Sequence, residues 1–163
     1  MIQVKKVIVN KKILNQIMKI DKTFYKDFDY ENNKNWYYER YMGNPFTLLY
    51  LNKKLIGYYC VISISKSLFN EIKKGNYSED YDFSLDQINK QNSNYFYIPS
   101  VVVLENYRQY SIPLILDLKR TINSLDNVVS IAISKAGMRM CSHFMKQSAK
   151  VKGYKIFVKE VNN

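Results

Sequence analysis

The sequence predicts an α/β fold in which helices flank a mixed sheet containing one parallel strand pair. Two observations predict it. The run from Tyr95 to Leu104 is apolar, aromatic and β-branched, as a buried strand requires. After it, Ile115, Leu118, Ile122 and Leu125 recur every three or four residues, the stripe of an amphipathic helix, and Val128 to Ser134 is a second β-branched run. Strand, helix and strand make a right-handed crossover, so these two strands are expected to be parallel. The second observation is a hairpin: Pro45 to Leu51 and Leu55 to Ser65 are strand-like runs joined by Asn52, Lys53 and Lys54.

The remaining elements follow in order. Ile2 to Val9 is rich in Val and Ile and reads as a strand. Asn10 is placed to cap a first helix, whose apolar positions Ile13, Ile17, Ile20, Phe24 and Phe28 carry it to about Phe28. Trp36, Tyr37, Tyr38, Tyr41 and Met42 form an aromatic cluster on a short second helix ending near Gly43. Its rings either cover the sheet or face a substrate. Ser67 to Lys74 reads as a short helix before Gly75, and Ser84 with Gln87 has capping-box spacing for another. Between them lie Glu79, Asp80 and Asp82, either solvated acids or an attraction for a cationic amine. Ala136 to Gln147 reads as the last helix and Val151 to Val161 as one final strand.

The turn between the central strand and its helix is the candidate anion site. It runs through Tyr107 and Arg108 to Ser111, which is placed to cap the helix, and Pro113 in the first turn. Free N–H groups at a helix start and the helix dipole both favour negative charge.

The order of elements and this turn resemble the core of the GNAT-type N-acetyltransferases. That family has a strand ending in an apolar run, then Tyr-Arg, then a turn reading Gln or Arg, two residues, Gly, one residue, Gly or Ala. The matching residues are Arg108, Gln109, Tyr110, Ser111, Ile112 and Pro113. Ser111 and Pro113 stand where the family has small residues; proline lacks an N–H that could donate to a phosphate. Ile56, Gly57 and Tyr58 match the family's habit of a glycine in the second hairpin strand.

The resemblance implies a mostly antiparallel twisted sheet whose parallel pair splays apart. It also implies acetyl-coenzyme A as cosubstrate. Backbone at Val101, Val102 and Val103 would pair with the pantetheine arm, and Arg108 with the N–H groups of Gln109 to Ile112 would hold the pyrophosphate. In many family members the last helix carries a tyrosine that protonates the departing thiolate, within Phe-Tyr-Lys-x-x-Gly-Phe. Met145 stands at that place and cannot donate a proton; Cys141, four residues earlier, is the substitute candidate or else a buried small hydrophobe. Tyr97 is the candidate for relaying the amine's proton. His143 reads as a surface residue.

Composition bounds the rest. The 163 residues suit one domain over residues 1–163, with 47% hydrophobic and 24% charged residues, an ordinary globular balance. No apolar run approaches a membrane span and no signal peptide is evident, which points to the cytoplasm and to no membrane partner. Two distant cysteines and a single histidine predict no metal site. The net charge of +11 reads either as attraction for nucleic acid or an anionic cofactor, or as drift in a sequence rich in Lys, Asn, Ile and Tyr. The lysines form no long run and no nucleic-acid motif is present, so a nucleic-acid partner is not expected. The expected function is acetyl transfer from acetyl-coenzyme A to a primary amine of a small molecule or protein; a homodimer is an admissible assembly. The alternative is a GNAT-like domain that has lost catalysis and serves as a binding or interaction module, favoured by Ser111, Pro113 and Met145.

Overall fold

The computed structural model describes residues 1–76 and 85–161. Glu79, Asp80, Asp82 and Ser84 therefore lie outside the described residues. Seven strands among the described residues join in the order β1-β2-β3-β4-β5-β7-β6, mostly antiparallel with one parallel pair, β4 with β5. They are β1 (Ile2–Ile8), β2 (Pro45–Leu51), β3 (Lys54–Ser63), β4 (Tyr95–Val103), β5 (Asn127–Ala132), β6 (Lys146–Val151) and β7 (Tyr154–Lys159). Helices α1 (Lys11–Phe24), α2 (Lys34–Tyr41), α3 (Lys66–Lys74), α4 (Ile112–Ser124) and α5 (Lys135–Phe144) connect them. The chain divides into two compact units, one of Met1–Cys60 with Ser100–Asp117, the other of Val61–Pro99 with Leu118–Asn163.

In the first unit, α1 starts where the Asn10 side chain accepts the Ile13 N–H. It stops at Phe24, a turn earlier than its apolar spacing predicts; Tyr25 closes it by donating its N–H to the Asp21 carbonyl, and Phe28 packs on the core from outside the helix. The hairpin of β2 and β3 turns on Asn52 and Lys53, whose φ angles of 48° and 69° are those of a two-residue left-handed turn. The core holds Leu14, Ile17, Phe46, Leu48 and Tyr58, all essentially buried. The aromatic cluster resolves in favour of packing for Tyr37 and Tyr41, which are buried. Tyr30, Tyr37, Tyr41, Phe46 and Tyr58 form a continuous series of ring contacts, with centroids 4.9 to 6.0 Å apart.

In the second unit, the Ser65 side chain caps α3 and Gly75, at φ 80°, ends it. The parallel ladder pairs Tyr95 with Asn127 through Ile98 with Ser130. The next residue of β4 is Pro99, which has no N–H to continue a ladder. The last turn of α4 is held by Lys159, whose Nζ donates to the Ile122 and Asn123 carbonyls at 2.7 and 3.1 Å, a cation where the helix dipole is negative.

The C-terminus corrects the sequence reading. α5 ends at Phe144, not Gln147, and residues 146–151 form β6 rather than the end of a helix, so the chain closes with two strands instead of one. The reason is the turn at Lys152 and Gly153, with φ of 48° and 81°, which pairs Val151 with Tyr154. Met145 is therefore not on the helix: it has extended backbone at the helix end and a buried side chain. Asp117, outside the apolar stripe of α4, is half-buried and accepts the Tyr59 hydroxyl at 2.6 Å.

Candidate active site

The residues expected to hold an anionic ligand lie on one continuous segment of the first unit. Along the end of β4, Val102 is buried in the core against α1, while Val101 and Val103, on the other face, are half-buried. Gly57 of β3 lies directly against them. A Cβ built there would sit 2.6 Å from the Val102 carbonyl oxygen and 2.9 Å from a Val103 methyl. The Leu104 N–H donates to the Ile56 carbonyl at 2.8 Å. The sequence marked this glycine by habit; the structure supplies its cause, a backbone approach too close for any side chain.

Residues Glu105–Tyr110 form a 3-10 helix leading into α4. Arg108, on its last turn, is exposed. Lys54 adds a cation that sequence reasoning missed: its Nζ donates to the Tyr107 hydroxyl at 2.8 Å and lies 4.7 Å from that ring's centre. The turn itself differs from expectation. The Ser111 N–H donates to the Arg108 carbonyl at 3.1 Å, so it is engaged inside the turn, while the Ser111 carbonyl accepts the Ile115 N–H. Pro113 has no N–H. Ser111 has φ −74° and ψ −20°, ordinary right-handed backbone that needs no glycine.

The two residues proposed for proton transfer lie in the second unit. Tyr97 is buried in its core beside residues such as Ile62, Phe69 and Val129. Cys141 is buried on α5, and burial pushes its thiol up to about 11, only partly offset by a hydrogen bond with Ser130. A donor at about 11 releases its proton less readily than an ordinary thiol at 9.0, so donation from Cys141 to a departing thiolate runs uphill. His143 is exposed.

The raised Cys141 value also predicts a pH dependence. The folded state binds this proton more tightly than the unfolded state, whose thiol has its ordinary value of 9.0. That stabilisation is fully present below pH 9 and is lost as pH rises toward 11, by about 2–3 kcal/mol at about 1.4 kcal/mol per pH unit. Urea titrations from about pH 8 to about pH 11 should give a steeper loss for the wild type than for Cys141→Ala. Parallel losses in the two proteins would show that burial does not hold the proton.

A further polar group was not legible from the sequence. Asp21, 4% exposed on the apolar face of α1, accepts the Tyr37 hydroxyl at 2.8 Å and the Tyr58 hydroxyl. Both phenols are raised well above their ordinary range, first by burial and then by the Asp21 charge. Ser100, which precedes Val101 on β4, has its Oγ 3.2 Å from the Tyr58 oxygen and 3.1 Å from the Tyr25 oxygen.

No family model matches the sequence, and no curated protein matches it. The fold is nevertheless defined: it is that of the GNAT-type N-acetyltransferases. The loading GNATL domain of CurA from Lyngbya majuscula aligns at a TM-score of 0.70 over 97% of this chain and 98% of its own, with 11% identity. NAA60 of Arabidopsis thaliana, solved with acetyl-CoA, aligns at 0.62 over 98% and 100%, with 15% identity. The Bacillus subtilis N-acetyltransferase YlbP, solved with coenzyme A, aligns at 0.54 over 99% and 97%, with 16% identity. No helix among the described residues is long and apolar enough to cross a membrane.

Proposed function

We infer that residues 1–163 act as one domain that transfers an acetyl group from acetyl-coenzyme A to a primary amine of a small molecule or protein in the cytoplasm. The observation that carries this reading is the pairing of a GNAT-type fold, whose neighbours are solved with coenzyme A or acetyl-CoA, with cations around the 3-10 helix that leads into α4. Arg108 on the 3-10 helix that leads into α4, and Lys54 bonded to Tyr107 of that helix, supply positive charge. The Ile112 N–H and the Ser111 hydroxyl add donors for a pyrophosphate. The backbone at Val101 to Val103, beyond the last β4–β5 pair at Ile98, would align the pantetheine arm and help polarise the thioester carbonyl. Attack by the amine then needs only positioning and somewhere for its proton to go.

The test is calorimetric titration of coenzyme A into the wild-type protein, followed by thiol release from acetyl-coenzyme A with a panel of amines. Binding in the micromolar range with acetylation of at least one amine is expected. The engaged Ser111 N–H and Pro113 favour the second reading, an interaction module, and absence of binding at millimolar coenzyme A would establish it over the first.

A further inference from the structure

A carboxylate on the apolar face of a core helix is costly unless hydrogen-bonded. Asp21 sits among Leu14, Ile17, Met18 and Ile20 of α1 and receives two phenols there. Two phenols would suffice to hold a carboxylate in a core. The bonding continues beyond them, however, through Ser100 to Tyr25, and these two groups are half-buried rather than buried. The result is a row of hydroxyls from the surface to a buried acceptor.

The protons in that row can be ordered toward Asp21. A carboxylate can only accept, and a phenol carries one proton, so the Tyr58 proton points to Asp21. With Asp21 ionised and holding the Tyr58 proton, the 3.2 Å Ser100–Tyr58 contact is open to the serine as donor, and either oxygen can donate across the 3.1 Å Tyr25–Ser100 contact. In that arrangement the hydroxyls can pass a proton toward Asp21. The groups that face this row are Tyr37 and Tyr41 from α2, Tyr58 and Cys60 from β3, and Tyr25 after α1.

We propose that Asp21 takes up the proton released by the attacking amine, delivered through Ser100 and Tyr58. This rests on the acetyl-transfer reading, which sets the thioester beside Val101 to Val103, the residues that follow Ser100. The amine nitrogen forms a bond to the acetyl carbon and the carbon–sulfur bond breaks, leaving a thiolate. The nitrogen gives a proton to the Ser100 oxygen, the serine passes its own to Tyr58, and Tyr58 passes its own to Asp21. After the product leaves, the same shifts in reverse return the proton to water or to the thiolate. Ser100 touches the reacting amine; Tyr58 and Asp21 act through it.

The test compares the wild type with Ser100→Ala, Ser100→Thr, Tyr58→Phe and Asp21→Asn. The readouts are coenzyme A affinity and the rate of thiol release from acetyl-coenzyme A with a lysine peptide, a peptide with a free N-terminus, and spermidine. Proton transfer by a positioned group is worth about 100-fold to 10,000-fold, and solvent can replace part of it. Ser100→Ala and Tyr58→Phe should therefore lose about tenfold to 100-fold in kcat, with coenzyme A affinity unchanged. The loss should shrink as pH rises, because solvent then removes the proton unaided. Ser100→Thr keeps a hydroxyl and should recover most of the rate, which a purely structural role would not require. If Asp21→Asn fails to fold, the serine and tyrosine variants decide. Folded Ser100→Ala and Tyr58→Phe with wild-type kcat at every pH would overturn the relay and leave acetyl transfer standing. A wild type that binds no coenzyme A, or binds it and acetylates none of the three amines, would overturn both.

Discussion

Gly57→Ala is expected to destabilise the protein by about 1–3 kcal/mol, and Gly57→Val by more, as overpacking does when the neighbours cannot yield. The neighbour here is mainly backbone. A Cβ at position 57 lies 2.6 Å from the Val102 carbonyl oxygen and 3.1 Å from the Val103 Cα, so relief requires β3 and the end of β4 to separate. Gly57 does not have a positive φ, so the effect is steric rather than torsional. The shift would fall on the residues proposed to align the pantetheine arm. A displacement of about 1 Å there can cost about 100-fold in reaction rate. Urea unfolding measures the first effect; coenzyme A titration and thiol release on the folded variant measure the second. Gly57→Ala with wild-type stability would mean that the strands give way freely, and with wild-type activity that Val101 to Val103 do not position the cosubstrate.

The parallel pair was readable because two β-branched runs flank a helix with a regular apolar stripe, and one handed crossover satisfies that order. The C-terminal hairpin was not. Lys146, Gln147, Ala149 and Lys150 are good helix residues, and β6 is a mostly exposed edge strand without apolar alternation. Only Lys152 and Gly153 announced the turn. The hydroxyl row was hidden for a different reason. An acid within a helix reads as a solvated position, and Asp21 meets Tyr37 and Tyr58 at sequence separations of 16 and 37. Lys54 reaches Tyr107 across 53 residues. Charge and hydroxyl pairs of that kind are products of the fold, whereas the turn at Arg108 carries its signal within six neighbouring residues, 108–113.

That turn supports the second large effect. Arg108→Ala is expected to weaken coenzyme A binding about tenfold to 100-fold, because a hydrogen bond to a charged group is worth about 1.5–3 kcal/mol. The two departures from the family pattern should behave differently from each other. Ser111 already has right-handed helical backbone, so Ser111→Gly frees no conformation the site uses and removes a hydroxyl donor. It should bind no better than wild type. Pro113→Ala and Pro113→Gly instead restore an N–H in the first turn of α4, where the helix leaves its donors without internal partners. Both should tighten binding, by up to about tenfold, with alanine ahead because glycine costs the helix about 1 kcal/mol. Titrating coenzyme A into the wild type and the four variants, each confirmed folded by circular dichroism, checks the order. Equal binding by the wild type and Arg108→Ala would move the pyrophosphate away from this turn. Tighter binding by Ser111→Gly with no change in the Pro113 variants would mean that closeness of approach, rather than the number of N–H donors, limits affinity.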